Sequence, residues 1–379
     1  MAVITLMLAG DVMTGRGIDQ IMRHPSAPGL REDYVKSALD YVRLAEAANG
    51  PIPRDVPAAY VWGDMPGALG PFRPELRIVN LETAVTRSAQ AWPKGINYRM
   101  HPGNIDCLTA AGIDCCVLAN NHVLDWREAG LIETLESLAA AGIETAGAGR
   151  TSEEAAAPAV LPIGGGGRVV IHAFACASSG VPKQWAATSK RPGVNFVDDL
   201  DSDDLERLSQ TVTFDKRPGD IVICSIHWGP NWGYEIDARH RQAAHAFIER
   251  GADLVHGHSS HHPKAIEMYQ GRPILYGCGD FLNDYEGIGP RDQYRSDLAL
   301  AYLPTLDLET GQIETLDMAP FRIRKFRLDR APADDVRWLA RELDRECRQF
   351  GLSVRAGTDG TLSVRSGTRP SPEPTPRRP

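Results

Sequence analysis

Cys115-Cys116-Val117-Leu118-Ala119-Asn120-Asn121-His122-Val123-Leu124-Asp125 passes from an unbroken apolar run into two amides, an imidazole and a carboxylate. The run has strand length, so a buried strand is predicted from Cys115 to Ala119. A helix is predicted from about Glu128 to Ala141, because Leu131, Leu135 and Leu138 recur at helical spacing, and Ile143 opens a further strand toward Gly147. Strand, helix and strand in succession imply a doubly wound α/β sheet, whose chemistry gathers outside the carboxyl ends of its strands. Asn121, His122 and Asp125 stand at such an end.

Toward the N-terminus, Ile4 to Ala9 is another apolar run, ending in Gly10-Asp11, with Gly15 and Gly17 close by to let backbone crowd a ligand. Asp11 is therefore a candidate metal ligand or acid/base group. Arg31 to Gly50 carries Tyr34, Ala38, Tyr41, Val42 and Ala45 at helical spacing, and the proline-rich residues 51–75 read as a packed loop anchored by Trp62 and Phe72. A strand from Arg77 to Leu81 delivers Asn80 and Glu82. Residues 92–101 gather Lys94, Arg99 and His101, and with Arg16 they offer cations for a substrate carboxylate.

Toward the C-terminus, Val169–Cys176 and Ile221–Ile226 read as buried strands, the second ending in His227-Trp228-Gly229 ahead of an aromatic loop. The polar stretch Ser178 to Phe196 has the length of a loop that covers a pocket. After a helix from Ala238 to Arg250, Leu254 and Val255 end a short strand, and a turn is predicted at Gly257. That places His256, His258, His261 and His262 on a strand-to-loop edge, where neutral imidazoles can share a metal ion. Leu298–Leu308 and Thr315–Leu328 alternate like strands and are expected to form a second sheet closing a sandwich. A helix follows over Asp334–Phe350. The divisions drawn are a main domain over residues 1–330, a packed C-terminal helix over 331–356, and a disordered Pro/Arg-rich tail over 357–379.

The chain has 379 residues, 42% hydrophobic and 24% charged, with a net charge of −8. That length buries a large core, and the charge provides no basic field for nucleic acid. The N-terminal apolar run is far shorter than the roughly 20 residues of a transmembrane span, and it lacks a signal-peptide pattern. Seven cysteines, mostly within apolar runs, suit a reducing compartment better than a disulfide frame, so a cytoplasmic location is expected.

Asp11, Glu82, Asn121, His122, His227, His258 and His261 thus fall at or just after the ends of five short strands, a layout suited to one or two divalent ions. The order Gly-Asp, Asn-Leu-Glu, Asn-Asn-His, His-Trp-Gly, Gly-His-Ser-Ser-His and Gly-Asp-Phe resembles the CapA family. These are the poly-γ-glutamate capsule accessory proteins and their cell-wall polyglutamine relatives, of calcineurin-like metallophosphoesterase fold. The resemblance spans roughly residues 4–330 and implies a four-layered α/β/β/α sandwich. It implies Asp11 as the first metal carboxylate, Glu82 as a bridging acid, and Asn121, His227, His258 and His261 as further ligands to manganese, zinc or iron. It also implies His122 as the proton-transferring histidine, with Asp125 holding its tautomer. Three departures stand out: Met13 where phosphoesterases carry a ligand histidine, the longer Glu82 where they bridge with Asp, and a stretched Gly257-His258-Ser-Ser-His261. They leave one ion, a weakened pair, or none.

Three functions fit this reading. One is a hydrolase-type enzyme on a peptide or poly-amino-acid such as polyglutamate or polyglutamine. Another is a peptide Cα epimerase of ribosomal peptide natural-product biosynthesis, with Asp11 and a site histidine as the acid/base pair. The third is a non-catalytic partner of a polymer synthase. Arg16, Lys94, Arg99 and Trp228 are the candidate substrate contacts.

Overall fold

The computed structural model describes residues 2–200, 204, 206, 216–288 and 293–366. Its first half runs through β1 (Val3–Val12), α1 (Ala38–Asn49), β2 (Leu76–Leu81), β3 (Cys115–Val117), α2 (Arg127–Ala140) and β4 (Glu144–Ala146). The second half adds β5 (Arg168–Cys176), β6 (Asp220–His227), α3 (Ala238–Glu249), β7 (Leu254–His258), β8 (Asp280–Leu282), β9 (Leu298–Asp307), β10 (Ile313–Arg324) and α4 (Ala333–Cys347). It is an α/β protein. Strands β1 to β4 lie side by side and parallel, as strand–helix–strand patterning requires. A second parallel set, β5, β6 and β7, forms the centre of another sheet.

Alternation along β5 and β6 explains how the two sheets stack. Val169, Ile171, Ala173, Ile221 and Ile223 join one continuous core with Leu8, Ala119 and Ala146 of the first sheet. The intervening Val170, Phe174, Val222, Cys224 and Ile226 pack instead on Ala243, Ala244, Phe247 and Ile248 of α3. Successive side chains point to opposite faces, so strands buried on both sides must be apolar throughout. The sheets touch through small residues: a Cβ at Gly147 would lie 2.5 Å from that of Ala119 and 2.8 Å from that of Ala173.

Several boundaries differ from the sequence expectation. Strands β9 and β10 do not build the second sheet; β9 pairs antiparallel with the free edge of β1, and β10 with β9, extending the first sheet to ten strands among the described residues. Alternation identifies a strand but not the edge that accepts it. Helix α1 begins at Ala38, where the Ser37 hydroxyl accepts the Leu39 N–H, so residues 31–37 lie outside it. Strand β7 continues through Gly257 to His258, and the chain bends at Ser259 with φ 101°. A strand over Leu362–Ser366 pairs with Leu352–Ala356 and β10, beyond the boundary drawn at residue 357; the rest of the expected tail, 367–379, is outside the described residues. Among those described, no helix is long and apolar enough to cross a membrane.

Candidate functional site

Two parallel strands bring the histidines together through their register. Ser225 lies beside His256 and His227 beside His258, and the two-residue period points all four into one face. Gly257, between the histidines of β7, is required by space: a Cβ there would approach Leu275 O to 2.5 Å. His256 Nε2 reaches Ala9 O on β1 at 3.0 Å, and its Nδ1 lies 3.0 Å from Ser225 Oγ. The same hydroxyl is 3.0 Å from His258 Nε2, and His258 Nδ1 is 2.8 Å from His227 Nδ1. Burial lowers the pKa of all three imidazoles, that of His256 to about 4 and the others well below the ordinary histidine value. At neutral pH they are uncharged, the form that ligates metal.

The opposite wall is made of carboxylates. Gly10 and Gly279 pack so closely that a Cβ at Gly10 would lie 1.9 Å from Gly279 O, and β8 consequently runs parallel against the end of β1 with Asp280 beside Asp11. An amide ladder fixes the rest. Asn120 donates to Asn80 Oδ1 at 2.9 Å, and Asn80 in turn donates to Asp11 Oδ1 at 2.7 Å and Glu82 Oε2 at 3.2 Å. Burial, with Asp280 adding, pushes Asp11 up to about 7, and burial followed by the Asp11 charge raises Glu82 further above its ordinary value. Glu82 Oε1 faces two imidazoles, with His122 Nε2 at 3.8 Å and His227 Nε2 at 3.9 Å.

His122 sits in a dyad. Its Nδ1 is 2.6 Å from Asp125 Oδ2, which also accepts the Tyr98 N–H at 2.6 Å, while Lys94 Nζ holds Asp125 Oδ1 at 2.6 Å. Nδ1–H is donated to Asp125, and Nε2 is left as an acceptor facing Glu82. Burial, and more weakly the Lys94 charge, bring the ring down to about 4 against the opposing pull of Asp125. Lys94 therefore serves the dyad, and its ammonium also lies 5.3 Å from the Trp185 ring.

Among the described residues two groups with metal-ligand spacing emerge, Asp11 with His227 and His258, and Asp11 with His261 and Asp280, the ligand atoms of each within 4.8 Å of one another. Asp11, not Glu82, is common to both. Among the described residues, His227 Nε2 and Asn121 Oδ1 are buried without a hydrogen-bond partner, and Asp11 Oδ2 meets no N–H or O–H group beyond its neighbouring acid. A divalent cation supplies what such lone pairs lack, so the residues fit one. His261 is held by Asp280, Nδ1 to Oδ1 at 2.7 Å. Beside it opens a cavity of about 150 Å³ lined in part by Asn231, Trp232, Tyr285 and Ser296.

Of the other expected substrate contacts, Arg16 borders this cavity, while Arg99 and Trp228 are placed otherwise. Arg16 is buried, its guanidinium taken by Asp284, Glu32 and Tyr41. Arg99 donates to Ser88 O at 2.7 Å and stacks 4.0 Å from the Trp126 ring. Trp228 stacks on His240 at 4.8 Å and donates to Tyr276 O, inside the core beneath α3. Trp232 is the indole at the site, 5.2 Å from the His261 ring. The sequence reading gave no role to Asp280, Asn80, Asn120 or Tyr285, although the second Gly-Asp pair, Gly279-Asp280, was a visible signal.

These elements define an α/β protein with a buried carboxylate–imidazole centre where strand ends of two sheets meet. The chain belongs to the bacterial capsule synthesis protein PGA_cap family, whose profile matches residues 5–285. It is 46% identical over 364 residues, 96% of each chain, to a probable polyglutamine synthesis accessory protein of Mycobacterium tuberculosis. It is also 25% identical over 325 residues to the PGA biosynthesis protein CapA of Bacillus subtilis, covering 85% of this chain and 74% of that one. The capsule biosynthesis protein CapA of Bacillus anthracis is 22% identical over 334 residues, 85% of this chain and 68% of its own.

Proposed function

We propose that the protein is a metal-assisted, hydrolase-type enzyme that acts on a poly-amino-acid of the polyglutamate or polyglutamine kind in capsule or cell-wall biosynthesis, alongside a polymer synthase. Its frame is the four-layered sandwich of the metallophosphoesterases. The observation that carries the reading is the pair of ligand groups sharing Asp11, lined by buried lone pairs that meet no donor among the described residues. Asp11, His227 and His258 would hold one ion, and Asp11, His261 and Asp280 a second, with Asn121 offering a further oxygen. When bound, such an ion supplies Lewis-acid polarisation of a carbonyl and a nucleophile at neutral pH.

His122 would move a proton at Nε2; the reading is supported by Asp125, which fixes the tautomer that leaves this nitrogen as an acceptor, and by Lys94, which holds Asp125. The cavity beside His261 receives part of the polymer, with Trp232 and Tyr285 as its aromatic walls. Isomerase chemistry requires Asp11 as an unencumbered base. Its burial between Asn80, Glu82 and Asp280 weighs against that role. Elemental analysis after loading with manganese, zinc or iron is expected to find one to two ions in the wild type and none in Asp11→Asn. His122→Asn should keep its metal yet lose about 10²-fold in rate on poly-amino-acid substrates. In deuterated water, cleavage without Cα exchange is the expected outcome. Deuterium gain without cleavage would establish the isomerase instead, and neither event would leave a binding partner of the synthase.

A further inference from the structure

One carbonyl at the sheet–sheet contact determines the hydrogen-bond direction across the whole imidazole wall. Ala9 O can only accept, so His256, buried and neutral, must carry its proton on Nε2. Its Nδ1 is then an acceptor and takes the Ser225 hydroxyl proton. With that proton used, Ser225 Oγ accepts from His258, whose proton is therefore on Nε2 and whose Nδ1 holds a lone pair. The close Nδ1–Nδ1 contact next requires His227 to donate from Nδ1, leaving its Nε2, the nitrogen without a partner, as a lone pair toward Glu82. Reversing the chain would turn the His256 lone pair onto the Ala9 oxygen, two acceptors 3.0 Å apart in a dry interior.

We infer that Ser225 and His256 are positioning residues, a relay from the Ala9 carbonyl that sets His258 Nδ1 to accept from His227 Nδ1–H and so presents His227 Nε2 as a ready lone pair to the ligand site. This rests on the reading of that site as a divalent-ion centre. Neither residue is itself within a ligand group; His256 acts through the Ser225 hydroxyl, and Ser225 through the His258 ring. Outer partners of this kind orient metal-binding imidazoles and fix their tautomers. The register makes the relay possible, since only Ser225 opposite His256 lets one hydroxyl reach both histidines of β7.

Long-range proton–nitrogen NMR of the metal-free, ¹⁵N-histidine-labelled protein tests the tautomers without any substitution. Protons are expected on Nε2 of His256, Nε2 of His258 and Nδ1 of His227; a proton on Nδ1 of His258 overturns the relay. Calorimetry with zinc ions tests its purpose. Ser225→Ala should weaken zinc binding about 10- to 100-fold, the usual effect of losing an outer partner, and Ser225→Thr, which keeps the hydroxyl, should restore most of it. Unchanged zinc affinity in a folded Ser225→Ala overturns the positioning role. A wild type that binds no zinc, manganese or iron overturns the divalent-ion reading and this use of the relay together, a result distinct from a wrong tautomer in a protein that does bind.

Discussion

Arg16 and Asp11 are near neighbours in the sequence, both buried and both ionisable, and the fold treats them in opposite ways. Around Arg16 every polar atom finds a protein partner: Asp284 takes two nitrogens, Glu32 and Tyr41 a third, and the three rings of Tyr41, Tyr98 and Tyr285 lie within 5.7 Å of the guanidinium carbon. Around Asp11 the balance is unfinished, with acid crowded on acid and lone pairs on Asn121 and His227 that meet no donor among the described residues. A closed network is architecture, while an open one is a place for something the chain does not itself contain. Arg16 also holds a left-handed φ of 46°, a conformation that surrounding contacts must enforce.

The largest expected effect falls on the closed side. Arg16→Met strands two buried carboxylates and should cost about 3–5 kcal/mol, the usual consequence of removing one partner from a buried pair. Urea unfolding at pH 7 reads this as a fall in midpoint with an unchanged slope. Asp11→Asn is isosteric, still accepts from Asn80 and relieves the acid crowding, so its stability should stay within about 1 kcal/mol of wild type. If both variants lost equally, the distinction between the two clusters would fail.

A second, intermediate effect sharpens it. Zinc at one hundred times its dissociation constant should add about 2.7 kcal/mol to the wild type by mass action. It should add nothing to Asp11→Asn and should still stabilise Arg16→Met. A zinc shift that survives in Asp11→Asn would place the ion elsewhere.

Much of the open cluster was legible because its members are local to strand ends. Asp11, Glu82, His122, His227, His258 and His261 each follow an apolar run, and reading the runs located them. Asp280 escaped assignment because its place beside Asp11 depends on β8 pairing with β1, which rests on the close approach of Gly10 and Gly279. The engagement of Arg16 escaped the sequence for the same physical reason: a free cation and one paired with Asp284, far along the chain, look identical in sequence, although Arg16 does border the cavity beside His261. Likewise, nothing local in the sequence separates Trp228, which packs on His240, from Trp232, which lies against His261. Nonlocal pairing also explains why β9 and β10 read correctly as strands yet were given to the wrong sheet.

The smallest effect is a pH dependence that enters through Asp11, which shares its titration with the adjacent Glu82. Burial first, then the Asp280 charge, raise its pKa from 3.8 to about 7, against the opposing contacts of Glu82 and Asn80. An acid raised in the folded state contributes stability that is fully present below its unfolded pKa and is lost as pH rises through the folded value. For Asp11 that window opens above 3.8 and closes above about 7. Between pH 6 and pH 8 the metal-free wild type should therefore lose about 1.4 kcal/mol relative to Asp11→Asn, the worth of one pKa unit. Taking the difference between the two proteins removes the histidine titration of the unfolded chain, which both share. Saturating zinc should abolish the slope, because a cation favours the ionised carboxylate. Urea midpoints of both proteins at pH 6, 7 and 8 measure it. A difference that stays flat with pH would mean that Asp11 is ionised throughout and already compensated, and would move it to the closed side of the comparison, beside Arg16.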